Sequence, residues 1–465
     1  MVSGATGYTV RRSLRSGGPY GILATGVAVL NFNDTNVQNG ITYYYVVNVE
    51  WTTLLSVDSN EAGVISSDRV SLQVPVELID RGLLSNMTNT TFQRSKTSLD
   101  THFYDGALIY TWQIVAQNFD SSPVQVHLVN SALSVVGTIS IPSGTSALTR
   151  LVSTFTPTVG EGVYQIRIDG TTNTGDVLVN SARLLITQTN ATKTRIYIPL
   201  LASAMPASEF DLDGFIEETN AQTYQELPSA GMYRRNTTVL SALKDFNAWE
   251  FETITAVTGA TTRGSVALIN QNTNQNVSRT QGLFSSTSMQ LIRSPFDEGV
   301  TNFSSVNENH YYQPSVRCEF NCTTGKVRIY KSGLWVNLES LTQAEIYFRT
   351  SLGSRNLGLQ IDTSERTSID STLFRNPVAF FQTVGSVASA STSQVTLLSH
   401  GTQESGTIGT SDAALPLDIM SLGKIQARTS LIVLSPTGTT YILKIDPGAA
   451  QFKAVDTSLV IRIKK

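Results

Sequence analysis

The chain is 465 residues long, with 33 basic and 36 acidic side chains, a net charge of −3, 40% hydrophobic residues and 15% charged residues. That length exceeds one ordinary core and, at roughly 100–200 residues per domain, points to three or four domains. Neither sign of charge forms a long run, so the composition excludes the basic stripe that phosphate-backbone binding requires, and no nucleic-acid partner is expected.

The longest apolar stretches, around Ile196–Met205 and Tyr20–Leu30, fall short of the roughly 18–20 residues that span a bilayer, so no membrane span is expected. The N-terminus lacks a positively charged segment followed by an apolar core, so a signal peptide is absent from the sequence as it begins. Either it has been removed or the N-terminus is incomplete. The charged share lies well under the roughly 25% of an average globular protein. Ser, Thr, Asn and Gly fill the gap, a mixture that suits turns, edge strands and the surfaces of secreted or particle-forming β-proteins.

In chain order, Gly7-Tyr8-Thr9-Val10-Arg11-Arg12-Ser13 alternates as a strand and Gly17-Gly18-Pro19-Tyr20 reads as a turn. Ile22-Leu23-Ala24 leads to Thr25-Gly26. After Phe32-Asn33-Asp34-Thr35 comes Asn39-Gly40-Ile41-Thr42, then the strand Tyr43-Tyr44-Tyr45-Val46-Val47-Asn48-Val49. On these motifs, residues 7–70 resemble a fibronectin type III domain of the kind attached to bacterial secreted enzymes and surface proteins. The resemblance implies a seven-stranded sandwich, yet it starts at about the third strand. A half-sandwich exposes its core at a cost of about 25 cal/mol per Å². Either the sequence is a fragment, or a neighbouring subunit supplies the missing strands. Residues 73–93 read as a linker, with a polar loop at Asn86–Thr91.

The remainder reads as three copies of one β-domain, at 94–205, 233–350 and 365–465, joined by linkers at 206–232 and 351–364. Lys96-Thr97-Ser98-Leu99-Asp100-Thr101 matches Arg366-Thr367-Ser368-Ile369-Asp370-Ser371 at an offset of 366 − 96 = 270. An aromatic strand follows in each copy, around Trp112, Trp249-Glu250-Phe251 and Phe380-Phe381. Next come Val126-His127-Leu128, Val266-Ala267-Leu268 and Val395-Thr396-Leu397. Ile166-Arg167-Ile168-Asp169 matches Val316-Arg317-Cys318-Glu319 at 316 − 166 = 150, and that offset still aligns Arg195–Ile198 with Glu345–Phe348. In copy three the counterpart is Leu443-Lys444-Ile445-Asp446, and Leu459–Ile463 closes the chain. Side chains alternate faces on a strand, so Ile166 and Ile168 point to a core while Arg167 points out. Val136–Ser140 pairs in the same way with Ser405–Gly409. The fold class expected is therefore all-β: the partial fibronectin type III-like sandwich at 1–72, then three related antiparallel, jelly-roll-like β-sandwiches.

Chemistry is sparse. His102, His127, His310 and His400 are scattered and lack the spacing of a metal site. Asp211-x-Asp213-Gly214 with Glu217 and Glu218 is part of a calcium-loop pattern without its full spacing, which a solvated acidic linker with a short helix explains as well. Asp169, Glu319 and Asp446 recur at one strand end per copy, one carboxylate each, where acid/base catalysis needs a pair. No Gly-x-Ser-x-Gly, Walker loop or His-Glu-x-x-His occurs. No catalytic residue, cofactor or metal is implied, and no enzyme is expected. Cys318 and Cys322 would stand about 13 Å apart in a straight strand, too far for a disulfide. A turn over Asn321–Gly325 would allow the bridge, and without it both are free thiols. Tyr43–Tyr45, Trp112, Trp249, Trp335 and His310-Tyr311-Tyr312 could stack on sugars or fill cores. Asn33, Asn86, Asn89, Asn190, Asn236, Asn276, Asn302 and Asn321 head glycosylation sequons.

Repetition without a catalytic motif leads to the first expectation, an extracellular or cell-surface structural protein. It would be a subunit of a filament, sheath, layer or particle that self-assembles by sandwich stacking and strand or edge pairing. A phage or virus structural protein is an alternative of the same class. The rival is a non-catalytic carbohydrate-binding or adhesion region of a secreted polysaccharide-active protein, with polysaccharide as partner.

Overall fold

A computed structural model describes the chain except residues 1, 38–40, 66–69, 80–82, 87–90, 93–95, 170–175, 202–216, 227–232, 236–248, 278–279, 297–302, 304–309, 339–342, 350–354, 358–360, 375–376, 388–392, 400–412, 420–424, 430–433, 435–438, 447–451 and 465. The protein is all-β, in several antiparallel sheets. Among the described residues no α-helix occurs, and no helix is long and apolar enough to cross a membrane. The chain divides into two units, Met1–Arg69 and Val70–Lys465.

The first unit is one sheet of β1 (Gly7–Ser13), β2 (Gly21–Ala24), β3 (Thr42–Glu50) and β4 (Ala62–Ile65), in the order β2-β1-β3-β4. The expected Gly17–Tyr20 turn is present, with both glycines at positive φ (79° and 87°), where a Cβ would be strained.

The second unit holds three pairs of sheets. The first uses β5 (Val70–Ile79), β6 (Leu83–Asn86), β7 (Thr91–Phe92), β8 (Thr97–Asp100), β9 (Ala107–Asn118), β10 (Val124–Asn130), β11 (Val135–Ile141), β12 (Thr145–Thr154), β13 (Glu161–Asp169) and β14 (Asp176–Ala191). Its sheets run β12-β9-β14-β5 and β11-β10-β13-β7, with β6 on β14 and β8 on β13. The second uses β15 (Thr194–Leu201), β16 (Glu217–Thr219), β17 (Gln225–Glu226), β18 (Tyr233–Arg235), β19 (Trp249–Val257), β20 (Arg263–Asn270), β21 (Gln275–Asn276), β22 (Gly282–Phe284), β23 (Gln290–Pro295), β24 (His310–Phe320) and β25 (Val327–Leu338). They run β15-β25-β19-β23 and β17-β24-β20-β21. The third uses β26 (Gln343–Arg349), β27 (Arg355–Leu357), β28 (Ile361–Ile369), β29 (Val378–Val387), β30 (Ser393–Ser399), β31 (Ala413–Ile419), β32 (Ile425–Arg428), β33 (Thr439–Asp446) and β34 (Phe452–Lys464). They run β26-β34-β29-β32 and β28-β33-β30-β31. In each pair the first strand lies against the last, and the two central strands of each sheet are contributed far apart in sequence. That is the order of a jelly roll.

The strand partners place the edges of the copies differently from the expected boundaries. Val70–Ile79, read across the end of the first piece and a linker, is the edge strand of the first sandwich, pairing Val74 with Ile186. Thr194–Leu201, read as the end of copy one, pairs with β25 and opens the second sandwich. Gln343–Arg349 pairs with β34 and opens the third. Each sandwich therefore starts upstream of its most legible motif. The acidic stretch Ser208–Glu218, expected to hold a short helix, lies outside the described residues up to 216, and Glu217–Thr219 is strand.

Cores form where alternation predicts. Tyr164, Ile166 and Ile168 are buried and Arg167 is half-exposed. Phe155 links the two sheets of the first sandwich, 5.9 Å from Tyr110 and 5.8 Å from Tyr164 between ring centroids. In the second, Phe303 stands between Trp249 (5.1 Å) and Tyr312 (4.8 Å). Edge-on aromatic contacts of this kind add stability beyond the area they bury. The repeat shows in local detail as well. Asp100 accepts from the His102 N–H and Asp370 from the Thr372 N–H, each capping a single 3-10 turn at Thr101–Phe103 and Ser371–Leu373.

The three sandwiches do not sit in a row. Their first strands, β5, β15 and β26, each touch the other two. The 3-10 turn of the first sandwich lies on the first strand of the second. There Tyr104 donates to the Arg195 carbonyl at 3.1 Å, and the Arg195 guanidinium lies between the rings of Phe103 (4.5 Å) and Trp335 (4.6 Å). The equivalent turn of the third sandwich lies on the first strand of the first. Contacts that run head to tail and return on themselves close a ring.

Candidate functional site

The N-terminal sheet carries the clearest open site. Register pairs Tyr8 with Val49, Val10 with Val47 and Arg12 with Tyr45 across β1 and β3. Period-2 alternation then sends Tyr8, Val10, Tyr45 and Val47 to one face. With Val64 of β4 and the segment Val27–Phe32, they line a cavity of about 490 Å³. Val29, Leu30, Phe32 and Val64 are exposed there, Leu30 by 74%. Among the described lining residues Asp34 is the one carboxylate. It accepts from Arg12 at 2.7 Å, the Tyr45 hydroxyl at 2.8 Å and the Asn36 N–H at 3.0 Å. Burial would raise the Asp34 carboxyl, but Tyr45, Asn36 and Arg12 outweigh it and hold it below its ordinary value. Burial and the Asp34 carboxylate push Tyr45 up to about 12. The cavity is thus apolar, with its one ion pair closed within the chain. It suits an uncharged apolar occupant, and among the described residues it supplies no free acid or base. On the other face of the sheet, Asn48 donates to Asp58 at 2.8 Å and to the Ser56 carbonyl at 2.9 Å, which ties down the loop after β3.

In the second unit the recurring acids end equivalent strands. Asp169 faces Gln125 and Asp446 faces Gln394 in register, while Glu319 lies beside the register shift next to Gly264. Only the Glu319 side chain is described. It accepts from Ser265 at 2.6 Å and from Arg317 at 2.7 Å, and the Arg317 guanidinium covers the Tyr224 ring at 4.4 Å. Burial would raise this carboxyl, and Ser265 and Arg317 together hold it below the ordinary range. That is an ion-paired sheet surface, with no second carboxylate beside it among the contacts of Glu319.

Cys318 and Cys322 are joined by a disulfide. Asn321 turns the chain at φ 55°, which brings their Cα atoms to 5.8 Å. His102 is exposed beside Asp100 at 3.1 Å, and His127 meets Thr138 at 2.8 Å on its strand pair. The His310 side chain, His400, and Asp211 with Asp213 lie outside the described residues. No group of metal-binding side chains occurs among those described. Trp112 and Trp249 fill sandwich cores. Trp335 is equally buried but lies in register with Glu250, on the outer face of its sheet, where the first sandwich covers it. None of the three offers a ring to a sugar. Tyr43 and Tyr312 are buried, and Tyr44, Tyr45 and Tyr311 are half-exposed.

Sequence reasoning did not find the charges buried between sandwiches. Glu252 accepts from Ser98 at 2.7 Å and Arg293 at 3.2 Å. Lys331 donates to the Glu77 carbonyl at 2.7 Å and to Thr97 at 2.5 Å. Arg183 meets Glu77 at 3.3 Å and donates to the Arg349 carbonyl at 3.0 Å. Alternation alone marks all of these side chains as outward and solvated. The Val27–Phe32 groove segment lay in view as an apolar stretch, but only the sheet's geometry shows that it flanks an open face.

No protein-family model matches the chain, and no curated protein matches it. Solved structures similar to parts of it include the N-terminal CBM22-1-CBM22-2 tandem domain of Paenibacillus barcinonensis Xyn10C, at 6% identity, over 57% of this chain and 98% of that one, with a TM-score of 0.17. Another is SGBP-B of the Bacteroides ovatus mixed-linkage glucan utilization locus, solved with a mixed-linkage heptasaccharide, at 10% identity over 70% and 88%, TM-score 0.17. A third is Sulfolobus turreted icosahedral virus, at 12% identity over 87% of each chain, TM-score 0.17. Likenesses at these scores carry no argument about function.

Proposed function

We propose that the chain is an extracellular structural protein, a subunit of a surface filament, sheath, layer or particle. Its N-terminal unit is read as a fibronectin type III-like half-sandwich, and its second unit as three fused jelly rolls. The observation that carries the proposal is the open, apolar face of the N-terminal sheet, with Leu30, Val29, Phe32 and Val64 in solvent. A contiguous exposed apolar face marks an interaction surface far more often than a solvated one. Among the described residues β2 and β4 form the edges of this sheet, on either side of that face.

The rival reading, a polysaccharide-binding region, would need rings presented to solvent; Trp112, Trp249 and Trp335 are buried, which leaves the half-exposed Tyr44, Tyr45 and Tyr311 as its candidates. Negative-stain microscopy of the purified chain over a concentration series tests the proposal. Regular filaments, sheets or closed particles are expected. A chain that stays dispersed at every concentration and pulls down with insoluble polysaccharide would replace the structural reading with the rival.

A further inference from the structure

More than half of the exposed large hydrophobic side chains among the described residues lie in the first 69 residues. The ones around the N-terminal cavity share a face; they are not scattered singly. The second unit offers a contrasting picture. Its sandwich-to-sandwich contacts include those of β5, β15 and β26, each engaged with the other two inside the chain. The ring is closed, so those surfaces are not left over for a second molecule.

From this we infer that copies of the chain associate through the N-terminal sheet, its open face packing against the same face of a second copy about a twofold axis. The inference rests on the assembly reading above and specifies its contact.

Three features choose a second copy as the occupant. The first is charge. Among the described residues the lining carries one carboxylate, Asp34, already satisfied by Arg12, Tyr45 and Asn36, so an occupant neutral at its centre fits it best. The face itself meets that requirement, whereas a charged partner would leave its own ions desolvated and unpaired. The second is shape. Two sheets pack face to face about 10 Å apart with interdigitating side chains, and Leu30 and Phe32 standing beside a groove floored by Val10 and Val47 supply both the projections and the hollow. The third is area. The strands are 7, 4, 9 and 4 residues long; at ~3.3 Å rise and ~4.8 Å spacing they project roughly 400 Å². Two faces, with the flanking Val27–Phe32 segments, reach the ~1,000 Å² at which specific interfaces begin. The expected dimer is therefore of moderate affinity and concentration-dependent.

The twofold contact is isologous and closes on itself. Growth beyond two chains then uses the edges β2 and β4, which face-to-face packing leaves free.

The experiment is sedimentation equilibrium on the full chain from sub-micromolar to tens of micromolar, with three variants. The wild type should rise from one chain mass to two. Leu30→Lys combined with Val64→Lys should raise the dissociation constant at least tenfold, because each dimer would bury four new charges. Both positions are solvent-exposed, so folding does not depend on them, and circular dichroism melting checks this; Phe32→Lys alone gives the same test from a third position. Leu283→Lys, an equally exposed apolar site in the second unit (72% exposed), should change nothing. A wild type of one chain mass throughout overturns the inference, whatever else occupies the face. So does a dimer that ignores Leu30→Lys and Val64→Lys. Should ordered assemblies form in negative stain with these variants as with the wild type, the contact proposed here is wrong while the structural function stands. If the dimer behaves as expected and no larger assembly forms, the contact is right and the structural function falls.

Discussion

Replacing Glu252 by Gln tests whether the three sandwiches act as one block. Glu252 is 1% exposed on the outer face of its sheet, covered by the first sandwich. It accepts from Ser98 of that sandwich and from Arg293, and it faces the Lys331 ammonium. Removing one partner from a buried ionic cluster costs about 3–5 kcal/mol, because the remaining charges are left uncompensated. Here the low end applies. Arg293 keeps Glu161 at 2.5 Å and Glu250 at 3.4 Å, and Lys331 keeps the Glu77 carbonyl and Thr97. The expected loss is about 3 kcal/mol, roughly a hundredfold in the folded-to-unfolded ratio. Urea titration followed by tryptophan fluorescence measures it, since Trp249 and Trp335 lie on and beside the strand of Glu252. The pH dependence supplies a second readout. Burial would raise the Glu252 carboxyl, but Lys331, Arg293 and Ser98 hold it below its ordinary value. A carboxyl depressed on folding stabilises fully above its unfolded value, near 4.3, and that stabilisation is lost as pH falls through the lower folded value. The wild type should therefore lose stability below about pH 4 more steeply than the Gln variant. A Gln variant within ~0.5 kcal/mol of wild type at pH 7, with the same acid limb, would refute the reasoning.

Two further outcomes follow from local geometry. Cys318 and Cys322 close a loop of sequence separation 4, and so short a loop contributes about 2 kcal/mol by chain entropy; paired Cys→Ser substitution should lower the urea midpoint accordingly, and an unchanged midpoint would show that the bridge adds nothing. In Asp34→Asn the Tyr45 hydroxyl loses its carboxylate acceptor, so its titration, at about 12 in the wild type, should move toward the ordinary tyrosine value; spectrophotometric titration of both proteins decides it, and coincident curves would remove Asp34 as a cause.

The repeat was legible because it is written in local chemistry. Thr97-Ser98-Leu99-Asp100 and Thr367-Ser368-Ile369-Asp370 specify a strand followed by a capped 3-10 turn, and both form it. The edges of each copy were not legible. Thr194–Leu201 follows β14 after a short turn, as a hairpin partner would, yet it pairs with Val327–Leu338 far downstream. A strand's partner is a long-range property that periodicity does not encode. The same limit hid the ionic contacts. Glu252 alternates with the core residues Phe251 and Thr253 and reads as solvated, which would hold for a lone sandwich; its burial comes from a neighbour. Trp335 shows the limit most clearly. It was expected to fill a core or meet a sugar, and it is buried in the core cluster, but on the outer face of its sheet against Arg195, where a second sandwich and not its own second sheet covers it.

The two kinds of surface argue for different tasks. Contacts among the sandwiches are built from desolvated charges with defined partners: Arg183 with the Arg349 carbonyl, Lys331 with Thr97 and the Glu77 carbonyl, Glu252 with Ser98. Such contacts are poor sources of net stability and strict selectors of geometry, since a misplaced partner strands a buried ion. They suit neighbours held in one chain, where mutual concentration is high without affinity. The N-terminal face is the reverse: its described lining is apolar, with one carboxylate, Asp34, paired internally. Its attraction is non-directional and proportional to area, which is what two separate molecules need to find each other. The first kind of surface thus fixes geometry among sandwiches already joined in one chain, and the second supplies non-specific apolar attraction.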